Sequence, residues 1–462
     1  LSFRISDLKE IAGLRVTVMG LGLNGGGVAS ARFFAEHGAA VTATDLRDER
    51  TLAPSLEQLS GLPIRFVLGG HEAADFSGAD IVIKNPSVRR DSPFLALAPR
   101  VETDLTVFLS LCRNPIVAVT GSKGKSTTVS AIHHVLVRVA PGARLGGNIT
   151  VSPLTFLDTL DPADPVVLEL SSWQLADLRD SRALKPTVAL ITNIMPDHQN
   201  MYSDMDEYAA DKRAIYAEQD RSDWTLLNYT DRYTESFAAE TKGTVRYFSP
   251  EPLPEKLDGA FLDGAHGVLR TGTELVRVVP EELAIRGEHH RLNLLSAALA
   301  LVTYGVPAGT VAEGLRDFPG IEHRLERVAE KRGVTFYNDS AATIPQAAAA
   351  AVKSFACPVV LITGGTDKSL EFESFLEAAH IPKKILLLEG TATDKLIPVL
   401  KAAGIGYLGP YDNLTAAFER ACAEAESGDA VLLSPGAASF GMFLNEFDRG
   451  NRFKALVRAL PD

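Results

Sequence analysis

Residues 116–127 read IVAVTGSKGKST. A run of apolar and β-branched residues leads into a glycine loop bearing Lys125, Ser126 and Thr127, and Val129, Ile132, Val135, Leu136 and Val139 then recur at helical spacing. A strand that delivers a glycine loop to a helix N-terminus aims backbone N–H groups and the positive end of the helix dipole at one point, which favours phosphate. In that pattern Gly121, Ser122, Lys123 and Gly124 form the cradle, Lys125 reaches the terminal phosphates and the Ser126 hydroxyl holds magnesium. The longer form of the motif begins with a glycine further upstream, where Val119 and Thr120 stand here. Gly121 is the only glycine shortly before the Gly124–Lys125 pair, so this is a compact GxxGK[ST] loop, and it reads as an ATP site.

Size and composition set the frame. A chain of 462 residues exceeds the ~250–300 at which single cores stop growing, so two to four domains are expected. An apolar content of 46% and a charged content of 23% are those of a soluble globular enzyme. The net charge of −12, with no basic stripe, argues against nucleic-acid partners. Cys112, Cys357 and Cys422 are far apart and form no CxxC pair, which fits a reducing cytoplasmic compartment without structural zinc. The N-terminal LSFRISDLKEIAG has no signal-peptide pattern, and no run of about 18 apolar residues suggests a membrane span.

Working outward from the loop, three blocks share a strand–glycine–helix grammar, and an α/β fold follows. The first opens at RVTVM (15–19) and continues GLGLNGGG, with Gly20, Gly22 and Gly25 in GxGxxG spacing and Asp45 closing the next strand about twenty residues on. The second holds the phosphate loop, then PVVLEL and TVALITN as parallel strands; its residues 223–285, short and turn-rich, read as an antiparallel insertion or sheet flank. The third supplies VTFYND, CPVVLITGG, KKILLLEG and DAVLLSPG between alanine-rich helical stretches. The divisions fall at 1–103, 104–320 and 321–462.

Each candidate site has a plain structural alternative. Glu169, at the end of the strand Val166–Leu170, could reach a metal at the phosphate loop, whereas Ser171 or Ser172 could simply cap a helix. Asp197 and His198 fall on a loop and Lys212 on the helix after it; all three suit a solvated surface as well as a site. His289, His290 and Asn293 open a helix, without the i, i+4 spacing of a metal pair. Arg324 could grip phosphate bidentately. Asn338, Asp339 and Ser340, then Lys368, then Ser434 and Ser439, each follow a strand and are individually turn-like. Their recurrence at the strand ends of one block favours a cleft.

Together these motifs resemble the Mur ligases, and within them the branch that adds glutamate to UDP-N-acetylmuramoyl-L-alanine. GLGLNGG, TGSKGKST, GGNI, ELSSWQL, TNIMPDH, ADKRAIY, EHRLE, NDS, GGTDKS and LLSP occur in the family's order over nearly the whole chain. The resemblance implies three domains: a Rossmann-like N-terminal domain holding the UDP-muramoyl substrate, a central P-loop ATPase and a Rossmann-like C-terminal domain holding the amino acid. It places Gly22, Leu23, Asn24, Asp45, Arg47 and Asn148 at the muramoyl substrate. ATP would meet Asn293, Arg324 and Asp339 besides the loop residues, and glutamate would meet Lys368 and Ser439. Two Mg²⁺ ions would be held by Ser126, Glu169, His198 and Lys212, the last carrying a carbamate derived from CO₂. Lys125, His198 and Lys212 would be the catalytic groups of a monomeric cytoplasmic enzyme in cell-wall peptidoglycan synthesis.

The chain departs from that pattern at three places. Ala341 stands where the family usually has a lysine (NDSKAT), NEFDRG replaces an NFE order near Glu446, and His290 replaces an asparagine. Two of these fall at or near the amino-acid pocket, which keeps an L-glutamate-adding variant open. A nicotinamide-dependent oxidoreductase explains GLGLNGG and Asp45 but leaves the second nucleotide loop without a purpose. A pure nucleotide-binding protein has no need of Glu169, His198 and Lys212 together. A folate-acting sibling would lack the separate glycine-rich first domain.

Overall fold

The computed structural model describes residues 5–461 apart from 24, 150, 180, 196–201, 203, 286, 287, 368–370 and 440. Each block of the sequence builds one sheet. The first holds β1 (Arg15–Met19), β2 (Ala40–Asp45), β3 (Ile64–Leu68), β4 (Ile81–Lys84) and β5 (Val101–Glu102), all parallel, in the order β3-β2-β1-β4-β5. The chain winds outward through β2 and β3, then returns to the other side of β1 with β4. Strand order therefore reverses between β1 and β4, and a crevice opens at their C-terminal ends.

The second sheet comprises β6 (Ile116–Thr120), β7 (Arg144–Gly147), β8 (Val166–Glu169), β9 (Val188–Ile191), β10 (Trp224–Asn228), β11 (Thr244–Ser249), β12 (Gly259–Asp263), β13 (His266–Thr271) and β14 (Glu274–Val279). Their order is β14-β13-β12-β11-β10-β9-β6-β8-β7. β6 is buried along its whole length between β8 and β9, as a strand covered on both faces must be. The helix Lys125–Val139 packs back on it through Val129, Ile132, Val135 and Leu136, all 0% exposed, while Val139 ends the helix at 48%.

Of the two readings of 223–285, the sheet flank holds, since β10 to β14 extend one side of the sheet, and the antiparallel insertion is corrected. β10 and β11 continue the parallel sheet around the crossover helix Thr234–Glu240, β12 is parallel to β11, and only β12–β13–β14 pair antiparallel. That crossover helix has 7 residues, too few to display a helical period among the turns.

The third sheet runs β15-β16-β20-β17-β18-β19, from β15 (Glu326–Lys331), β16 (Val334–Asn338), β17 (Val359–Gly364), β18 (Lys384–Leu388), β19 (Leu408–Tyr411) and β20 (Ala430–Leu433). It is parallel except for the β15–β16 hairpin. By compactness the chain forms two units, Leu1–Glu281 with Arg291–Arg316, and Glu282–His290 with Asp317–Asp462. The first two sheets thus belong to one unit and the third to the other.

Candidate active site

The phosphate loop is shaped from beneath by the end of β9. Ser122 N donates to Asn193 O (2.8 Å), Lys123 N to Asn193 Oδ1 (2.9 Å), and Thr192 Oγ1 to Lys123 O (2.7 Å). Gly121 and Gly124 have φ of 141° and 85°, and their neighbours leave no room for a side chain. A Cβ on Gly121 would lie 1.9 Å from Thr192 Oγ1, and one on Gly124 would lie 2.2 Å from Asn293 Oδ1. Asn293 is therefore seated against the loop. Lys125 arches back over it, Nζ donating to Gly121 O (2.9 Å) and Ser122 O (3.0 Å).

Lys212 reaches the same spot from the helix Met205–Lys212. It is 1% exposed, and its Nζ donates to Gly121 O (3.0 Å) and lies 4.5 Å from the centre of the Tyr208 ring. Tyr208 Oη in turn meets Ser122 Oγ (3.1 Å). Two lysine side chains thus converge on one carbonyl oxygen, an arrangement that suits a strongly anionic ligand.

Glu169 stands at the end of β8, 1% exposed. Its Oε1 accepts from Asn148 Nδ2 (2.9 Å), while Oε2 is buried with no hydrogen-bond partner. An ionised carboxylate oxygen withdrawn from water costs several kcal/mol unless a cation or donor meets it (roughly,). A hard divalent cation with oxygen ligands answers that need, so the Glu169 carboxylate fits magnesium. The cap reading of this segment also holds: Ser171 and Gln174 form a capping box on the helix Ser172–Leu178. The carboxylate and the cap are neighbours with separate tasks. Among the described residues no group of three or more His, Cys, Asp or Glu could hold a metal; His198 lies outside them.

A cavity of about 350 Å³ opens beside these groups, lined by Lys125, Lys212, Asn148, Asn85, Asp104 and Ser152 among others. Asp104 and Ser152 were not singled out from sequence. Ser152 Oγ donates to Asp104 Oδ2 (2.7 Å), and burial pushes the Asp104 carboxyl above the usual carboxylate range. A second cavity, of about 590 Å³, lies at the strand-order reversal of the first sheet, where Gly20, Gly22, Asp45 and Arg47 meet His71 and Phe94. Asp45 holds the turn together: Oδ2 accepts from Gly22 N and Oδ1 from Arg47 N, each at 2.9 Å. The close helix–strand contact lies at Gly27, where a Cβ would come within 2.3 Å of Gly20 O; Gly25, the third glycine of the spacing, is the left-handed residue before the helix Gly26–Glu36. Leu23 is 46% exposed, and Asn24 lies outside the described residues.

Three models of one family match the chain in sequence order: the Mur ligase MurD-like N-terminal domain at 14–106, the Mur ligase middle domain at 119–301 and the Mur ligase glutamate ligase domain at 323–436. The UDP-N-acetylmuramoylalanine–D-glutamate ligase of Borreliella afzelii is 43% identical over 98% of this chain and 99% of its own, and that of Treponema pallidum 40% over 97% and 98%. The chain belongs to the Mur ligase family. Solved Mur ligases share the fold at lower identity. MurC from Thermotoga maritima has a TM-score of 0.63 at 21% identity, covering 96% of this chain and 99% of its own. MurF from the same organism, in complex with ADP, has 0.54 at 16%, covering 98% of each. The oxidoreductase reading of the first glycine turn falls with this membership.

In this Mur ligase the C-terminal unit gathers its own cluster. His323 and Leu325 have positive φ (64° and 44°) around the exposed Arg324. Asp339 steadies that turn, Oδ1 accepting from Leu325 N (3.1 Å) and Oδ2 from Ser434 Oγ (2.6 Å). Burial raises its carboxyl to about 7. Arg449, fully buried, donates to Ser340 Oγ (2.9 Å), Ser340 O (2.8 Å) and Ala437 O (3.2 Å). It ties the segments after β16 and β20 together, and no sequence signal marked it. Ser439 is 4% exposed just beyond, and Lys368 lies outside the described residues.

Proposed function

We propose that this chain is the ATP-dependent ligase that joins D-glutamate to UDP-N-acetylmuramoyl-L-alanine in peptidoglycan synthesis. The observation that carries the reading is the meeting of Lys125, Lys212 and the half-satisfied Glu169 at the phosphate loop, beside a cavity that continues to Asn148. The names of relatives 40–43% identical over nearly their full length support the choice of D-glutamate.

A carboxylate is a poor electrophile at neutral pH, so its activation by ATP must bring two anions together. Lys125 answers by placing an ammonium inside the loop, where low polarity strengthens its effect. Magnesium, when bound by Glu169 and Ser126, supplies further charge neutralisation. Asn148 holds the Glu169 carboxylate in one orientation through its amide. Gly22, Asp45 and Arg47, which line the first cavity, are assigned to the UDP moiety, as are Leu23 and Asn24. Asn293 and the loop residues Gly121–Thr127 are assigned to ATP. In the C-terminal unit Arg324 and Asp339 are assigned to ATP, and Lys368 and Ser439 to glutamate.

The finer assignments are part of the same reading. A carbamate on Lys212 is supported by its burial and its place on the cavity wall, and His198 completes a second magnesium site. The enzyme acts as a cytoplasmic monomer; among the described residues no helix is long and apolar enough to cross a membrane. One observation favours L-glutamate, the methyl group of Ala341 where a lysine is usual. Phosphate release from ATP, Mg²⁺ and UDP-N-acetylmuramoyl-L-alanine, with D- or L-glutamate in parallel, decides the matter. Release with D-glutamate alone is expected. Release with L-glutamate alone would transfer the assignment to the variant, and silence with both would remove it.

A further inference from the structure

Several polar side chains of the first cavity belong neither to the glycine fingerprint nor to the ordered motifs, Ser87, Arg89, Asp91 and Ser92 among them, and one of the set is an imidazole. His71 is half-buried on its wall, just after β3, on a segment locked to the end of β2. Gly69 N donates to Arg47 O (2.8 Å) and Gly70 N to Asp45 O (3.2 Å), so His71 is fixed relative to the very turn that carries Asp45 and Arg47. The ring is held by two aromatic neighbours and at one nitrogen. Phe76 and Phe94 make edge contacts with it, at centroid distances of 5.7 and 5.1 Å.

The hydrogen-bond arithmetic fixes the tautomer. Thr44 Oγ1, 0% exposed, lies 3.1 Å from Gly70 O and 2.8 Å from His71 Nδ1. A carbonyl only accepts, so the single hydroxyl proton goes to Gly70 O. Both contacts are satisfied only if Nδ1 carries a proton and donates it to Thr44. Nε2 is then a bare acceptor, with no partner among the described residues. Burial also holds the ring below the usual imidazole range against the opposing pull of Asp45, which keeps it neutral.

We infer that His71 is a substrate-recognition residue, its Nε2 accepting a hydrogen bond from a donor group of the uridine, the imide N–H or a ribose hydroxyl. This rests on the UDP reading of the first cavity. A pre-positioned acceptor loses little entropy on binding and rejects ligands that lack the matching donor. Arg47 and Arg89, on the same wall, are the cations available to the anionic diphosphate, which leaves His71 to the uridine.

Calorimetric titration of the full-length protein with UDP, N3-methyl-UDP and 2′-deoxy-UDP tests it, using wild type, His71→Asn and His71→Gln. Asn replaces Nδ1 and keeps the bond to Thr44 but has nothing at Nε2, whereas the Gln amide oxygen reaches that position. His71→Asn is expected to weaken UDP about tenfold, with His71→Gln recovering part of the loss. Wild type is expected to discriminate against one of the two analogues, and His71→Asn to lose that discrimination. Undiminished UDP binding in His71→Asn, or weakened binding with discrimination intact, would overturn the inference while leaving the UDP reading in place. Failure of wild type to bind UDP at all would remove both.

Discussion

The first and second sheets open with the same grammar, strand then glycines then helix, and use it for opposite electrostatics. At the phosphate loop two lysines, Lys125 and Lys212, donate to Gly121 O, and Glu169, at the end of the strand beside β6, keeps one carboxylate oxygen unsatisfied. At the first turn the carboxylate is the organiser: Asp45 takes both Gly22 N and Arg47 N, and among the described residues no lysine lines the cavity there. Backbone geometry alone therefore does not define a phosphate site. The side chains that converge on the loop decide how much charge it can accept, and a triphosphate needs far more than a bound sugar nucleotide.

The strongest way to break the comparison is to remove its cations. Lys125→Ala is expected to lower the rate of phosphate release by about 10³-fold. Lys212→Ala should do the same without recovery in bicarbonate, since the side chain that would be modified is gone. Near-normal turnover in either variant would show that the convergence on Gly121 O is structural only.

Asp339 sharpens the contrast with Asp45: both are 7% exposed, but its oxygens meet one backbone N–H and one hydroxyl where those of Asp45 meet two backbone N–H groups. With its carboxyl raised from 3.8 to about 7, the folded chain holds the proton more tightly than the unfolded one. That contribution to stability is complete below the unfolded value and is lost as pH rises toward 7, then stays flat. Asp339→Asn should flatten the denaturant midpoint of the C-terminal unit across that window, removing no more than about 4 kcal/mol. An unchanged slope would exclude Asp339 as its source.

Smaller effects separate the two glycine turns. Gly27→Ala sets a Cβ against the Gly20 carbonyl and is expected to cost about 3 kcal/mol in thermal unfolding. Gly25→Ala, whose strain is only a left-handed φ, should cost about 1–2 kcal/mol. Equal losses would return the packing role to the position that the motif spacing indicates. Least of all, Asp45→Asn keeps one acceptor of two and should raise KM for the UDP substrate about tenfold with kcat unchanged. A fall in kcat instead would place Asp45 in the chemistry.

What could be read beforehand follows the length scale of the signal. The phosphate loop was legible because strand, glycines, lysine and helix all lie within one short stretch. The place of Glu169 at a strand end beside the loop strand was legible because parallel strands deliver their ends to one edge. Gly27 was not, since a motif spacing counts residues and cannot see which one meets Gly20 O. Asp104 and Ser152 look like an ordinary helix start and a loop serine; only the fold brings them together across the cavity wall. Arg449 stands among other charged residues on a helix, and nothing local distinguishes a fully buried guanidinium from a solvated one. The parallel character of β10 and β11 was hidden for a related reason, because pairing direction is a property of partners far away in sequence.

Lys125 lies across its own loop, held by two carbonyl oxygens. An anion entering there must displace those oxygens from the ammonium before it collects the full benefit of the charge. A small ion making one or two contacts recovers little more than it removes. A polyphosphate can spread over loop amides, lysine and metal at once and gains a net return. These two hydrogen bonds thus compete with weak visitors, and inorganic phosphate is expected to bind the loop far more weakly than a nucleoside triphosphate.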